Sequence, residues 1–117
     1  MKISTILLVA FTAIILWNRF GPSMVDTSEI DFAQAVIIDV RSPGEFSGGH
    51  VEGAVNLPID SITEADVLKL TSKEKPVILY CRSGARASAV QSRMEQWGFT
   101  SVYNLKTQSG VESALQQ

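Results

Sequence analysis

The sequence predicts an α/β fold, a mostly parallel central sheet with helices on both faces, and three observations carry that expectation. Two short runs, Ala35 to Val40 and Pro76 to Tyr80, are apolar almost throughout, as strands buried on both faces must be. Each ends at a cluster of charged and turn-forming residues. Between and after them lie stretches with helical spacing, and strands alternating with helices at such intervals assemble as parallel βαβ units.

The chain opens with Met1-Lys2 and an uncharged run from Ile3 to Trp17, so residues 1–20 read as a signal or membrane-anchor segment. About 15 residues is short for a membrane-spanning helix and near the upper limit of a signal-peptide apolar region. No small-x-small cleavage site follows, and Trp17, Arg19 and Phe20 are poor neighbours for a signal peptidase. An uncleaved anchor is therefore expected, with secretion to the periplasm after cleavage as the alternative. Lys2 and the amino terminus outweigh Arg19, which puts the N-terminus in the cytoplasm and the domain on the periplasmic side of a bacterial inner membrane. Gly21-Pro22-Ser23 breaks the pattern, residues 21–30 read as a linker, and the domain is expected over 31–117.

Within the domain, Ala35–Val40 is the first strand, carrying Asp39 near its end, and Ser42-Pro43-Gly44-Glu45 is expected to turn the chain. After Gly48-Gly49, residues Gly53 to Leu57 form a second short strand stopped by Pro58, and Ser61 to Leu70 has a weak helical pattern. Pro76–Tyr80 is the next buried strand. Ala87 to Trp97 places Ala87, Val90, Met94 and Trp97 on one helical face and ends at Gly98, a C-terminal cap. Ser101–Asn104 is the last strand.

Composition narrows the function classes. With 117 residues, 45% hydrophobic and 19% charged, the chain has the make-up of a folded domain, and the roughly 90 residues after the leading segment support a single core. A formal net charge of −2 lacks the basic footprint of a nucleic-acid binder. One cysteine permits no intramolecular disulfide and no Cys-x-x-Cys pair, and one histidine provides no zinc cluster. Chemistry that needs a soft nucleophile falls to Cys81.

Cys81 follows a buried strand and precedes a helix, the place where α/β sheets bind ligands. A thiol is mostly protonated at neutral pH unless its surroundings favour the thiolate. The helix that follows points its amide end back at the loop, while Arg82 and Arg86 add positive charge. Gly84 lets the backbone curl so that successive amides converge. Cys81 is the candidate nucleophile, and Arg82, Ser83, Gly84, Ala85 and Arg86 are the candidate cradle for an anionic substrate.

Three motifs then carry a resemblance: Ile38-Asp39-Val40-Arg41 with Glu45-Phe46; Gly49-His50-Val51-Glu52-Gly53-Ala54-Val55-Asn56-Leu57-Pro58; and Tyr80-Cys81-Arg82-Ser83-Gly84-Ala85-Arg86, continued by Gly98-Phe99 and Val102-Tyr103-Asn104-Leu105. In this order they make the chain similar to single-domain rhodaneses, thiosulfate or related sulfurtransferases. The resemblance implies a rhodanese-like α/β fold, with Cys81 attacking the outer sulfur of a donor such as thiosulfate. Sulfite leaves, a persulfide stays on the enzyme, and cyanide or a thiol removes its sulfur. The implied partners are a small anionic sulfur donor and a thiol or cyanide acceptor, with no metal, no organic cofactor and a monomeric domain. Cell-cycle phosphatases of similar architecture place five residues between cysteine and arginine, whereas four lie between Cys81 and Arg86.

His50 lies in a segment that is a structural turn in the rhodanese family and is not expected to serve as a general base, and Asp39, Arg41 and Glu45 are expected to form an ion-pair and hydrogen-bond network supporting the loops, with contact between Arg41 and an anionic donor as the alternative. Two departures stand out. Ala87 occupies a position where the family often has serine, with Ser88 one place later. Lys106-Thr107-Gln108-Ser109-Gly110-Val111 replaces paired glycines, and a C-terminal tryptophan is missing, so an altered closing turn and a short final helix are expected. A competing reading is a non-catalytic rhodanese-like sulfur-carrier or binding module at the membrane. Such modules often lack the cysteine or the loop arginine, and this chain keeps both.

Overall fold

The structure is a computed structural model that describes residues 25–117. The segment 1–20, expected as a signal or anchor, lies outside the described residues. Among the described residues no helix is long and apolar enough to cross a membrane.

Four strands, β1 (Val36–Asp39), β2 (Val55–Asn56), β3 (Val77–Tyr80) and β4 (Val102–Asn104), form one sheet in the order β2-β1-β3-β4, with every pairing parallel. Among the described residues four α-helices, α1 (Pro43–Ser47), α2 (Glu64–Leu68), α3 (Ala85–Gln96) and α4 (Gln108–Leu115), and one 3-10 turn over Thr27–Glu29 accompany them. This is the α/β architecture expected from the apolar runs.

The central strand β3 shows why helices cover both faces. Its side chains alternate, so Val77 and Leu79 enter one apolar cluster with Val67 of α2 and Ala87, Val90 and Met94 of α3. Ile78 and Tyr80 enter a second cluster with Val111 and Ala114 of α4. All four β3 residues are fully buried, and each large apolar side chain taken from water contributes about 1.5–3 kcal/mol. The alternation runs on into Cys81, which joins the α3 side.

Local departures from the expected elements have local causes. Ser42-Pro43-Gly44-Glu45 does not simply turn the chain but opens α1. The Ser42 hydroxyl accepts from the Glu45 N–H at 3.2 Å, Glu45 accepts from the Ser42 N–H at 3.1 Å, and Pro43 takes the first helical position. The weak pattern over Ser61–Leu70 yields only Glu64–Leu68, because Ser61 and Ile62 are tied back to the Pro58 carbonyl and Thr63 caps the helix through Asp66. The long helix begins two residues earlier than its apolar face, at Ala85. At its far end Gly98, with φ of 96°, and Phe99 bond back to Glu95 and Met94, closing a Schellman turn. Ile30, in the stretch read as linker, is buried in the second cluster, so ordered packing includes the end of that stretch.

The strand order places β1 and β3 side by side while their onward connections leave in opposite directions, and a crevice opens at such a switch point beyond the carboxyl ends of the strands. Asp39, fully buried at the end of β1, holds the lip of that crevice. It accepts the backbone N–H of Arg41 at 2.9 Å and the Arg41 guanidinium at 2.9, 3.0 and 2.7 Å. The Asn56 amide ties the Asp39 and Arg41 carbonyls from β2. Replacing Asp39 by alanine is expected to destabilise the fold by about 2–4 kcal/mol, since a guanidinium that is mostly buried loses its carboxylate. Urea unfolding checks this, and a loss below about 1 kcal/mol would show that Arg41 relaxes freely into water.

Candidate active site

Cys81 is the first residue after β3, and Arg41 lies two residues beyond β1, so the switch point sets them at one mouth. Helix α3 starts beside them without a side-chain cap. Its N-cap is Gly84, in the left-handed region with φ of 98°, and no side chain there accepts from the first turn. Opening amides of a helix are unsatisfied by the helix itself. The sulfur of Cys81 answers them, with the Gly84 N–H donating to Sγ at 3.0 Å. Burial pushes the thiol up, but the backbone N–H groups of Ala87, Ser83, Gly84 and Arg86 together outweigh it and hold the thiol below its ordinary value.

The turn after β4 braces this loop from the other side. Cys81 N–H donates to the Lys106 carbonyl at 3.0 Å, the Asn104 amide donates to the Gly84 carbonyl at 3.0 Å, and Asn104 Oδ1 accepts from the Lys106 N–H at 2.9 Å. Lys106 adopts φ of 74°, the only non-glycine positive φ among the described residues. Its stem packs so closely that a Cβ at Gly84 would sit 3.0 Å from Lys106 Cγ, a second reason for glycine at that position.

The charges nearest the sulfur are mostly committed. Arg86 donates to both oxygens of Glu45, at 2.7 and 3.1 Å, so the carboxylate that closes the α1 cap also ties α1 to α3. Arg41 is held by Asp39, donates to the Gly49 carbonyl at 2.7 Å, and lies over the Tyr80 ring at 5.5 Å. Cys81 lies beneath an open pocket of about 430 Å³ lined also by Arg41, Arg82, Thr107, Gln108, Ser109 and Glu112.

Of the residues singled out in the sequence, Cys81 and Gly84 meet at the sulfur, with backbone amides of Ser83 and Arg86 turned to it. Arg82 is exposed at the pocket wall, and Ala85 is exposed at the first turn of α3. The Arg86 guanidinium is engaged by Glu45. Ser88 lines a different depression, with Gln91 and Tyr103, and so does not replace a hydroxyl at position 87. His50 stacks on Phe46 at 3.6 Å between centroids and bonds to the Phe46 carbonyl, as a structural turn residue would. Sequence reasoning missed the contribution of 104–112, although the rule that ligands gather beyond strand ends pointed to the turn after β4.

Residues 24–108 match the family described as Rhodanese-like domain. The chain is 39% identical over 75 residues to an uncharacterised protein of Bacillus subtilis, a match that takes in 64% of this chain and 58% of that protein's length. It is 32% identical over 73 residues to the thiosulfate sulfurtransferase PspE of Escherichia coli, spanning 62% of this chain and 70% of the relative. Among solved structures, a rhodanese from E. coli described with anions superposes with a TM-score of 0.60 at 28% identity, covering 65% of this chain and 89% of that one.

The Glu45 carboxyl is lowered from the ordinary 4.5 to about 2, chiefly by its hydrogen bond with Arg86 and then by the Ser42 backbone. A carboxyl whose folded value is depressed stabilises the fold fully above its unfolded value and loses that contribution as pH falls through the folded one. The link between α1 and α3 is therefore expected to weaken from about pH 4.5 towards about pH 2. Carboxyl NMR titration checks it: the Glu45 midpoint should lie near 2 and rise towards 4.5 in Arg86→Gln. A wild-type midpoint already at 4.5 would mean the pair is not formed in solution.

Proposed function

The chain belongs to the rhodanese-like domain family, and on that premise we propose that it is a sulfurtransferase working through a Cys81 persulfide. The observation that carries the reading is the start of α3, where the Gly84 N-cap offers no side chain and its N–H donates to Sγ at a pocket wall. Such a setting favours the thiolate and stabilises negative charge on a sulfur bonded to it. Thiosulfate sulfurtransferase activity named for a relative supports the same chemistry here.

The cycle has two displacements. The Cys81 thiolate attacks the outer sulfur of a donor such as thiosulfate, the sulfur–sulfur bond of the donor breaks, and sulfite leaves with its electron pair. A thiophilic acceptor, cyanide or a thiol, then attacks the outer sulfur of the persulfide and returns Cys81 to the thiolate. Loop amides carry the charge in both resting states, so the site need not reorganise between half-reactions. Arg82 assists the entering anion, while Arg86 acts as a positioning residue that fixes the loop through Glu45.

Mass spectrometry of the full-length protein after thiosulfate, mercaptopyruvate or polysulfide should show the gain of one sulfur, absent in Cys81→Ala. No adduct with any of the three would defeat the sulfurtransferase reading. A persulfide that forms but passes to neither cyanide nor small thiols at more than its uncatalysed rate would instead make the domain a sulfur carrier.

We further propose that residues 1–20 hold the domain at the periplasmic face of a bacterial inner membrane, with cleavage and secretion as the alternative. The apolar run from Ile3 to Trp17 and the balance of Lys2 against Arg19 support it. A C-terminally tagged chain should sediment with membranes and be digested by protease added to spheroplasts. Protection from that protease would overturn the orientation, and a soluble shortened product would favour cleavage.

A further inference from the structure

Two charged side chains of the Cys81 pocket form no ion pair among the described residues, and they are of opposite sign. Arg41 is neutralised by Asp39, and Arg86, near the sulfur, is neutralised by Glu45. Arg82 and Glu112 line the pocket, and neither forms an ion pair among the described residues. One guanidinium and one carboxyl group therefore decide what the pocket attracts. A dianion gains from the first and is repelled by the second, whereas a ligand carrying both a carboxylate and an ammonium meets each with its opposite.

The remaining lining agrees with such a ligand. Thr107, Gln108 and Ser109, at the start of α4, supply neutral hydrogen-bonding groups, and the Thr107 hydroxyl is itself spent on the Gly110 N–H. A volume of about 430 Å³ falls in the range of small-molecule sites, with more room than an inorganic donor anion needs. Position 112 lies one helical turn beyond 108 and 109, so Glu112 joins them at the pocket wall.

We propose that Glu112 and Arg82 select the sulfur acceptor, and that the acceptor is a small α-amino acid thiol, its ammonium on Glu112 and its carboxylate on Arg82. The proposal rests on the persulfide reading above and names the partner for its second half-reaction. The acceptor thiolate attacks the outer sulfur of the Cys81 persulfide, and a new sulfur–sulfur bond joins acceptor and transferred sulfur. The bond to Sγ breaks, its electron pair stays on Cys81, and the proton given up by the acceptor thiol ends on the transferred sulfur. No external oxidant or reductant is required.

The test uses full-length protein loaded with sulfur, the loaded fraction measured by mass spectrometry, and three acceptors: L-cysteine, N-acetyl-L-cysteine without the ammonium, and cysteamine without the carboxylate. Rates per loaded enzyme are compared between wild type, Glu112→Gln and Arg82→Gln, so intrinsic thiol reactivity cancels in the ratios. Both positions are exposed, and circular dichroism confirms that each variant is folded. Glu112→Gln is expected to lower the cysteine to N-acetylcysteine ratio roughly fivefold to tenfold, and Arg82→Gln the cysteine to cysteamine ratio by a similar factor. Ratios unchanged in both variants would overturn the proposal while leaving the sulfurtransferase reading intact. Failure to load any sulfur would remove both.

Discussion

The first amides of a helix must find acceptors, and in this protein the acceptor is a sulfur atom. Helix α3 begins on a glycine that has no side chain to offer, directly after a strand whose last buried neighbour in sequence is Cys81. The strand fixes where Sγ lies, because Cys81 continues the alternation that sends Val77 and Leu79 towards α3. The helix fixes which groups face it. Their meeting at a sheet switch point sets backbone N–H groups against the thiol and holds it below its ordinary value.

Everything around that junction keeps a few peptide groups from drifting. Asp39 and Arg41 hold the end of β1, Glu45 links the short α1 to Arg86, and the turn at Asn104 to Lys106 accepts a hydrogen bond from Cys81 and donates one to Gly84. These contacts neutralise charge as they position it. A loop with two arginines looks strongly cationic when read along the chain, but Glu45 has taken Arg86, and the groups that lower the Cys81 thiol are backbone N–H groups. Backbone dipoles act over short range, so they favour the atom in contact with them over the arriving ion.

The fold was legible in the sequence where burial dictates residue type. A strand covered on both faces has to be apolar at every position, and Val77–Tyr80 could hardly be anything else. The Cys81 loop was legible as a piece of geometry, since the residue after the strand, the glycine and the start of the helix fall within six consecutive residues. Pairing was not. Glu45 and Arg86 are 41 positions apart, and nothing in their local surroundings names the partner. The α1 helix carried a signal in the Ser42 to Glu45 spacing, hidden by the Pro-Gly between them, which reads more readily as a turn. Lys106 gave no sign of its left-handed backbone, because lysine is not a residue type that marks one. The facing of Glu112 depends on how α4 docks, a tertiary fact.

A thiol that accepts at a helix cap has a further implication. In most proteins the cap is inert, and its contribution to folding is constant for the life of the chain. On the proposed cycle the sulfur at this cap changes its covalent state, and the strength of the α3 start changes with it. On that cycle the melting behaviour of the protein would follow its chemistry, since thiolate and persulfide are two different caps on one helix.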